Sequence, residues 1–485
     1  MINNEFVKIE IDKALENFKK TNYQNAISIL ENLKEKNSNF LICWYLGHSY
    51  FKIYDYKSAI KYIKQSIKLK KPDELNQSFL GEILLESNNY EEAIKLFNNI
   101  LSVNKENINA LFNLAKIYSE LGRFNIAEDH YNKIMEIEPM NFQALYQLIK
   151  INQNYLTLDK IEYIKKKKYQ NNLNDVYARF ILAENEKVTK NYEGELKNLL
   201  DGHKFYLKIK ERAAFQEFNY FTNLLNQFMQ KVKKVEIDTN CKYSPIFIMG
   251  LPRSGTTMIE NLISTGDKTI LKGDETGVMG KVFFSKKIIL NYDDINLHTN
   301  FDFSKKDFIN LREAIFNQYK QIDIDTNKVT FTDKSLENFL YIDLLSIIFP
   351  KAKFIYCRRN YAANLLGILK IFLPNLLWCH SLEKIKQIMD LYKNKLIKIT
   401  SEKKINIKII DLEKFSNDPL NNSKDLFKFL GIKWNKDVLN IDKKKELIIK
   451  TVSNIQAREK ITKHDLDYLK KYIPILEKYG KIKLT

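Results

Sequence analysis

Two rhythms of apolar residues divide the chain. In the N-terminal part the apolar positions keep helical spacing, and that spacing itself recurs. "LGHSYFKIYDYKSAIKYI" from Leu46, "LGEILLESNNYEEAIKLF" from Leu80 and "LAKIYSELGRFNIAEDHY" from Leu114 align without gaps at a period of 34. Gly47, Gly81 and Ala115 share one slot, and Ala59, Ala93 and Ala127 share another, as small residues must where two helices of a pair approach closely. Ala26 marks a first, partial unit and Pro139 closes one. The copies are best over about 40–141 and decay after 150; Ala178–Leu200 reads as one more helix pair. After residues 201–240, which read as bridging helices, the rhythm changes. Short apolar runs, "PIFIMG", "KVTFTDK", "KFIYC" and "INIKII", alternate with helical patterns, and six of the fourteen glycines fall between Gly250 and Gly280. Strands alternating with helices predict an open parallel sheet covered by helices. Ligands on such sheets bind beyond the carboxyl ends of the strands. The expected organisation is a helical repeat domain over 1–200, a helical linker over 201–240 and an α/β domain over 241–485.

Composition narrows the class. Of 485 residues 45% are hydrophobic, enough for packed cores. No basic-then-apolar start and no run of about 18 uncharged apolar residues is present, so a cytoplasmic protein without a transmembrane segment is expected. Cys43, Cys241, Cys357 and Cys379 are scattered without metal-ligand spacing, which predicts free thiols and no metal site. The net charge of +19 is almost all lysine spread along the chain. Runs such as Lys165–Lys168 and Lys443–Lys445 read as solvated faces, and no nucleic-acid partner is expected. The eight arginines are more telling, because a planar fork is placed where a point charge does not suffice.

The stretch "GLPRSGTT" (Gly250–Thr257) has the G-x-x-x-x-G spacing of a phosphate-cradling loop between an apolar run and a helix. A Walker A loop would continue with Lys and then Ser/Thr. Here Thr256 stands where that lysine belongs, and the cation is Arg253 inside the loop. A metal-free phosphate or sulfate group suits this loop better than a nucleotide triphosphate with its Mg²⁺.

These residues carry two resemblances. The 34-residue period is similar to the tetratricopeptide repeat, which implies a protein partner on its concave face. Pro252-Arg253-Ser254-Gly255-Thr256-Thr257 resembles the 5′-phosphosulfate loop of sulfotransferases that use 3′-phosphoadenosine 5′-phosphosulfate (PAPS), closest to the tyrosylprotein and the bacterial repeat-bearing members. "KGDET", "FTDKSLENFLYIDLLSIIFPKAKFIYCRRN", "IIDLEKFSNDP" and "FKFLGIKW" follow in the family's order. The resemblance implies a repeat solenoid followed by the P-loop-like sulfotransferase fold. It implies PAPS as cofactor, the bisphosphate PAP as product, no metal, and an acceptor hydroxyl on a protein, glycan or small molecule. The implied roles are Glu275 as catalytic base (Asp274 being the other candidate), Lys334 as the cation at the leaving phosphate, and Arg253 with residues 252–257 as the cradle. Arg359, or in second place Arg358, would meet the 3′ phosphate, helped by Arg458 in "SNIQAREK".

The sequence also departs from the family. Gly367 stands where the family has a 3′-phosphate serine, a contact left to the glycine's own N–H or to Asn364. Leu412 replaces a tyrosine, Gly277 an acceptor-binding arginine, and the late serine is missing from "KHDLDYLKKY". Two other readings stand beside the enzyme: a catalytically inactive PAP-binding repeat adaptor, and a kinase-like P-loop transferase that would need Mg²⁺.

Overall fold

The computed structural model describes residues 4–36, 39–69, 74–170, 172–232, 241, 243–322, 324, 330–440, 447–451, 454–463 and 465–480. Lys328 and Val329 of the second apolar run, the Lys443–Lys445 run, Ser453 and His464 lie outside the described residues. An N-terminal set of helical repeats is followed by a domain built on a parallel sheet. The described residues form two compact units.

The first unit comprises residues 1–117 with 277–288 and 309–327. Its helices pair as the period predicts: Phe40–Lys52 packs on Tyr56–Leu69, and Glu74–Glu86 on Tyr90–Val103. The small-residue slot has a steric cause. A Cβ on Gly47 would lie 2.5 Å from Ile63 Cδ1, and one on Gly81 would lie 2.3 Å from Phe97 Cζ. Each hairpin turns through a left-handed residue at the recurring position, Thr21 (φ 59°), Tyr54 (φ 62°) and Asn88 (φ 67°), which closes a helix by reversing its backbone. Between helices His48 lies stacked on Phe79 with ring centroids 3.7 Å apart.

The second unit comprises residues 118–276, 289–308 and 328–485. It holds the later helices Phe124–Ile137, Phe142–Ile151, Leu173–Val188 and Tyr192–Ile209 together with the sheet. The four apolar runs become β1 (Ile246–Gly250), β2 (Thr332–Asp333), β3 (Lys353–Arg358) and β4 (Ile407–Asp411), all parallel in the order β2-β1-β3-β4. All five residues of β1 are buried. Ile246, Ile248, Ile355 and Ile410 pack with Ile259, Ile263 and Phe427 into one core. Bridging helices Glu211–Asn219 and Leu225–Lys231 are joined by a π-helical turn, Tyr220–Leu224. Helix Tyr192–Ile209 docks on the sheet's helices through a buried polar knot. Glu195 pairs with Lys370 Nζ at 2.8 Å and accepts from the Tyr472 hydroxyl at 2.6 Å.

Candidate active site

At the carboxyl end of β1 the chain turns from Gly250 into the helix Thr256–Gly266. The turn is shaped by close backbone approach. A Cβ on Gly250 would stand 2.4 Å from the Cys357 carbonyl oxygen on neighbouring β3, and one on Gly255 2.7 Å from Leu412 Cδ1. Arg253 takes a left-handed conformation (φ 68°), a conformation costly for a residue with a Cβ and concentrated at functional turns. Gly255 (φ 94°) begins the helix without a side-chain cap, so among the described residues the first-turn amides have no side-chain acceptor. Asn364 Nδ2 braces the turn by donating to the Pro252 carbonyl at 2.7 Å. Thr256 and Thr257 are buried, and Thr257 Oγ1 lies 3.3 Å from Thr451 Oγ1. Ser254 Oγ is buried and has no hydrogen-bond partner among the described residues. A buried orphan hydroxyl beside uncapped amides and a guanidinium is what a tetrahedral anion satisfies. The loop therefore fits the phosphosulfate end of PAPS.

Next to it, beyond β2, lies a cluster of charges. Lys334 is wholly buried, with Nζ 2.7 Å from Glu275 Oε1 and 3.2 Å from Asp274 Oδ1. Burial opposes its charge, but Glu275, Asp274 and Glu260 outweigh this and hold it above the usual lysine range. The two acids differ. Asp274 (φ 60°) is buried and also lies 3.7 Å from Lys272 and accepts from the Lys450 amide at 3.1 Å. Burial pushes its carboxyl up, yet Lys334 and Lys272 win and hold it well below the usual range. It is a fixed anion. The Glu275 side chain is 46% exposed and is the acid of the pair that an incoming hydroxyl can reach. Beneath them Glu260 Oε1 accepts from the Asp274 amide at 2.9 Å and from Thr332 Oγ1 at 2.7 Å. Thr276 Oγ1 donates to Asp333 at 2.7 Å, tying β2, which runs into Lys334, to the segment bearing Glu275.

The arginines after β3 separate cleanly. Arg358 makes a two-pronged pair with Asp411, its register partner on β4. Arg359 turns to the loop: Nη1 donates to the Arg253 carbonyl at 3.3 Å and Nη2 to the Tyr468 hydroxyl at 3.5 Å. A Cβ on Gly367 would sit 3.2 Å from Arg359 Nη1 and 3.4 Å from Arg253 Cβ, so the glycine keeps these two side chains close. Burial, then repulsion from Arg359, pushes Arg253 down to about 10. Arg458 is not brought into this group. Its Nη1 donates to the Asn454 carbonyl at 2.8 Å, and its Nη2 to those of Glu120 at 2.8 Å and Leu447 at 2.7 Å. With these donors committed to the main chain, Arg458 is a brace, and the 3′-phosphate role expected of it has no support in its contacts. Gln456, two residues earlier, is the side chain of this segment that receives Arg253 Nη2. Gln456 and Tyr468 lie inside "SNIQAREK" and "KHDLDYLKKY" but had no role assigned to them there; only a fold that returns the C-terminal segment to the loop shows their contacts.

Among the described residues no group of three or more His, Cys, Asp and Glu is arranged to hold a metal ion, and no helix is long and apolar enough to cross a membrane.

Comparison with known proteins agrees with this architecture. A family model described as "Sulfotransferase family" matches residues 245–436, one for the tetratricopeptide repeat matches 84–150, and one for subunit 3 of the anaphase-promoting complex (cyclosome) matches 19–100. A curated but uncharacterised protein of Aquifex aeolicus is 25% identical over 261 residues, which are 48% of this chain and 31% of that protein. The chain thus spans about a third of the length of that relative. Among solved structures, the sulfotransferase STF1 of Mycobacterium tuberculosis is 11% identical, with 67% of this chain and 99% of that one covered at a TM-score of 0.27. The crystal structure of MamA is 20% identical, covering 36% of this chain and 96% of that one at a TM-score of 0.28. The chain thus holds a region that matches the sulfotransferase family and, before it, a region that matches the tetratricopeptide repeat.

Proposed function

We propose that the chain moves a sulfuryl group from PAPS to an acceptor hydroxyl, with the repeats recruiting the acceptor or a protein partner. The observation that carries this is the meeting of the Gly250–Thr257 loop with the Glu275–Lys334 pair at the carboxyl ends of parallel strands. When bound, PAPS supplies an activated sulfuryl group on a phosphate leaving group. The chain's part is alignment and charge neutralisation, as in phosphoryl transfer. Arg253, the Ser254 hydroxyl and the amides of Gly255, Thr256 and Thr257 would hold the 5′ end, and Arg359 beside Gly367 the 3′ phosphate. Glu275 would accept the acceptor's proton, and Lys334, an ammonium throughout, would fix Glu275 and face the leaving oxygen. Lys334 has three donors and spends two on carboxylates, so one is left for that oxygen. The acceptor is a hydroxyl on a protein, glycan or small molecule, and the cytoplasm is the proposed compartment.

A thermal-shift comparison of PAP with ATP–Mg²⁺, followed by labelled-sulfate transfer into a host lysate, tests this reading. Stabilisation by PAP without metal and label in an acceptor are expected. A shift only with ATP–Mg²⁺ would sink it. The complete burial of Lys334 favours one alternative, a PAP-binding adaptor without turnover, for which the same assay gives a shift and no transferred label.

A further inference from the structure

About two turns after Glu195, the helix Tyr192–Ile209 is fastened a second time, by His203. His203 is buried, and its Nε2 lies 2.9 Å from the carbonyl of Leu369, the last residue of the helix Tyr361–Leu369. Its Nδ1 lies 2.8 Å from Nδ1 of His380, which is buried too. His380 Nε2 in turn lies 3.0 Å from the Leu373 carbonyl. A carbonyl oxygen only accepts, so each Nε2 must carry a proton to make its bond. Two neutral imidazoles own two N–H protons between them, and both are then spent. Between the rings two bare Nδ1 lone pairs would face each other at 2.8 Å, a contact that repels unless a third proton lies in it. The surroundings suit that charge. The Leu369 carbonyl stands at a helix C-terminus, where a cation is favoured. The ring of Phe180 lies 5.1 Å from that of His203, and those of Tyr206 and Phe372 lie 4.6 and 5.5 Å from that of His380. Such π-systems attract a cation.

We infer that His203 and His380 share one proton between their Nδ1 atoms, forming a single buried monocation and a pH-sensitive clasp between the helix Tyr192–Ile209 and the segment 369–380. The clasp does not depend on the PAPS reading. Its proton stays because without it no arrangement of protons satisfies all three contacts. Burial opposes charge on either ring, and at His380 repulsion from His203 adds to it, so a second proton is refused. Around the pair stand the Tyr206 hydroxyl, which donates to the Pro374 carbonyl at 3.0 Å, the Cys379 thiol, and Glu217 on the helix Glu211–Asn219. Burial raises all three. Glu217, whose Oε1 accepts from the Trp378 amide at 3.1 Å, is pushed up to about 7 and alone of the three titrates near neutrality. Glu337 and Lys384 act on Glu217, and Lys370, next to Leu369, is paired with Glu195. An unfolded chain protonates each histidine at about pH 6.5. Below that pH its two histidines bind two protons to the clasp's one, and above it fewer than one. The clasp therefore stabilises most at about pH 6.5, and its contribution falls on both sides.

The test is NMR of the full chain labelled with nitrogen-15 histidine at neutral pH, the two rings being assigned by their proximity to the Phe180 and Tyr206 rings. Three nitrogen-bound protons over the two rings are expected, one of them coupled to both Nδ1 nitrogens. Two nitrogen-bound protons, one to a ring, would overturn the inference. Melting gives a second measure. The margin in melting temperature of wild type over the His203→Phe/His380→Phe double variant should shrink as pH is raised from about 7 to about 9. A constant margin over that range would refute the shared proton. Glu217→Gln, introduced into both proteins, should leave the shrinking margin in place; its disappearance would hand the dependence to that carboxylate and overturn the clasp. Should the double variant fail to fold, the proton count in the wild type decides.

Discussion

Asp274 and Glu275 are neighbours in sequence with opposite surroundings, and the difference assigns their work. The left-handed backbone at Asp274 turns its carboxylate inward between Lys334 and Lys272, while Glu275 keeps one oxygen on Lys334 and a half-exposed side chain. Glu275→Gln should therefore cut turnover by about 10²–10⁴-fold, the usual worth of a general base, with the dissociation constant for PAP unchanged in titration. Asp274→Asn should instead lower the melting temperature, since breaking a buried ion pair costs about 3–5 kcal/mol; a variant melting with the wild type would refute its structural role. The arginines divide in the same way. Arg359→Ala should weaken PAP binding about ten-fold or more, as loss of one charged hydrogen bond does. Arg358→Ala, which frees only Asp411 on the strand edge, should leave PAP binding within two-fold of wild type, a difference read by calorimetry. A sequence shows two adjacent arginines at a strand end; which one faces the loop follows from the register of β3 with β4.

At the scale of elements, the legible parts were those fixed by short-range patterns. The four apolar runs found their strands because each is a short run beside a turn, and the repeat slots were legible because Gly47 and Gly81 have large partners opposite. The loop was legible by its glycines, and Gly250 offers a sharp test. A methyl group there meets main chain, the Cys357 carbonyl, which cannot swing aside as a side chain can. Gly250→Ala should part β1 from β3, destabilise the fold by about 1–3 kcal/mol and abolish PAP binding, as denaturant melts and titration would record. Unchanged PAP affinity would show that the loop's contact with β3 is dispensable. What stayed illegible needs distant segments together. Arg458 had the right residue type for an anion site, but its carbonyl partners Glu120 and Leu447 are chosen by the fold.

For the molecule as a whole, acid is the condition that acts on its buried charges. Burial, then Lys52, lowers His48 to about 4, whereas an unfolded chain protonates histidine near 6.5. Between those values the unfolded state binds more protons, so stability falls as pH falls from about 6.5 towards 4. The carboxylate of Asp274, depressed in the fold, adds its stability above about pH 3.9 and loses it below. Melting temperature measured from pH 7 to pH 4 should decline, and His48→Phe, which keeps a ring on Phe79, should flatten the upper part of that decline. An equal slope in the variant would place the sensitivity elsewhere.

The knot at Glu195 and the brace at Arg458 bear on where such a protein can be cut. Both fasten the sheet to residues before 241, namely the Glu195 carboxylate and the Glu120 carbonyl. A scissor placed at the change of composition, leaving 241–485, would take from the buried Arg458 one of its three carbonyl acceptors, and from the half-buried Lys370 and the buried Tyr472 the Glu195 carboxylate they share. That piece is expected to come out as an inclusion body, and a soluble, cooperatively melting 241–485 would show the fastenings to be ornamental. Helical repeats cannot, on this view, be exchanged here like beads on a string: a graft has to bring the last helices along with the sheet.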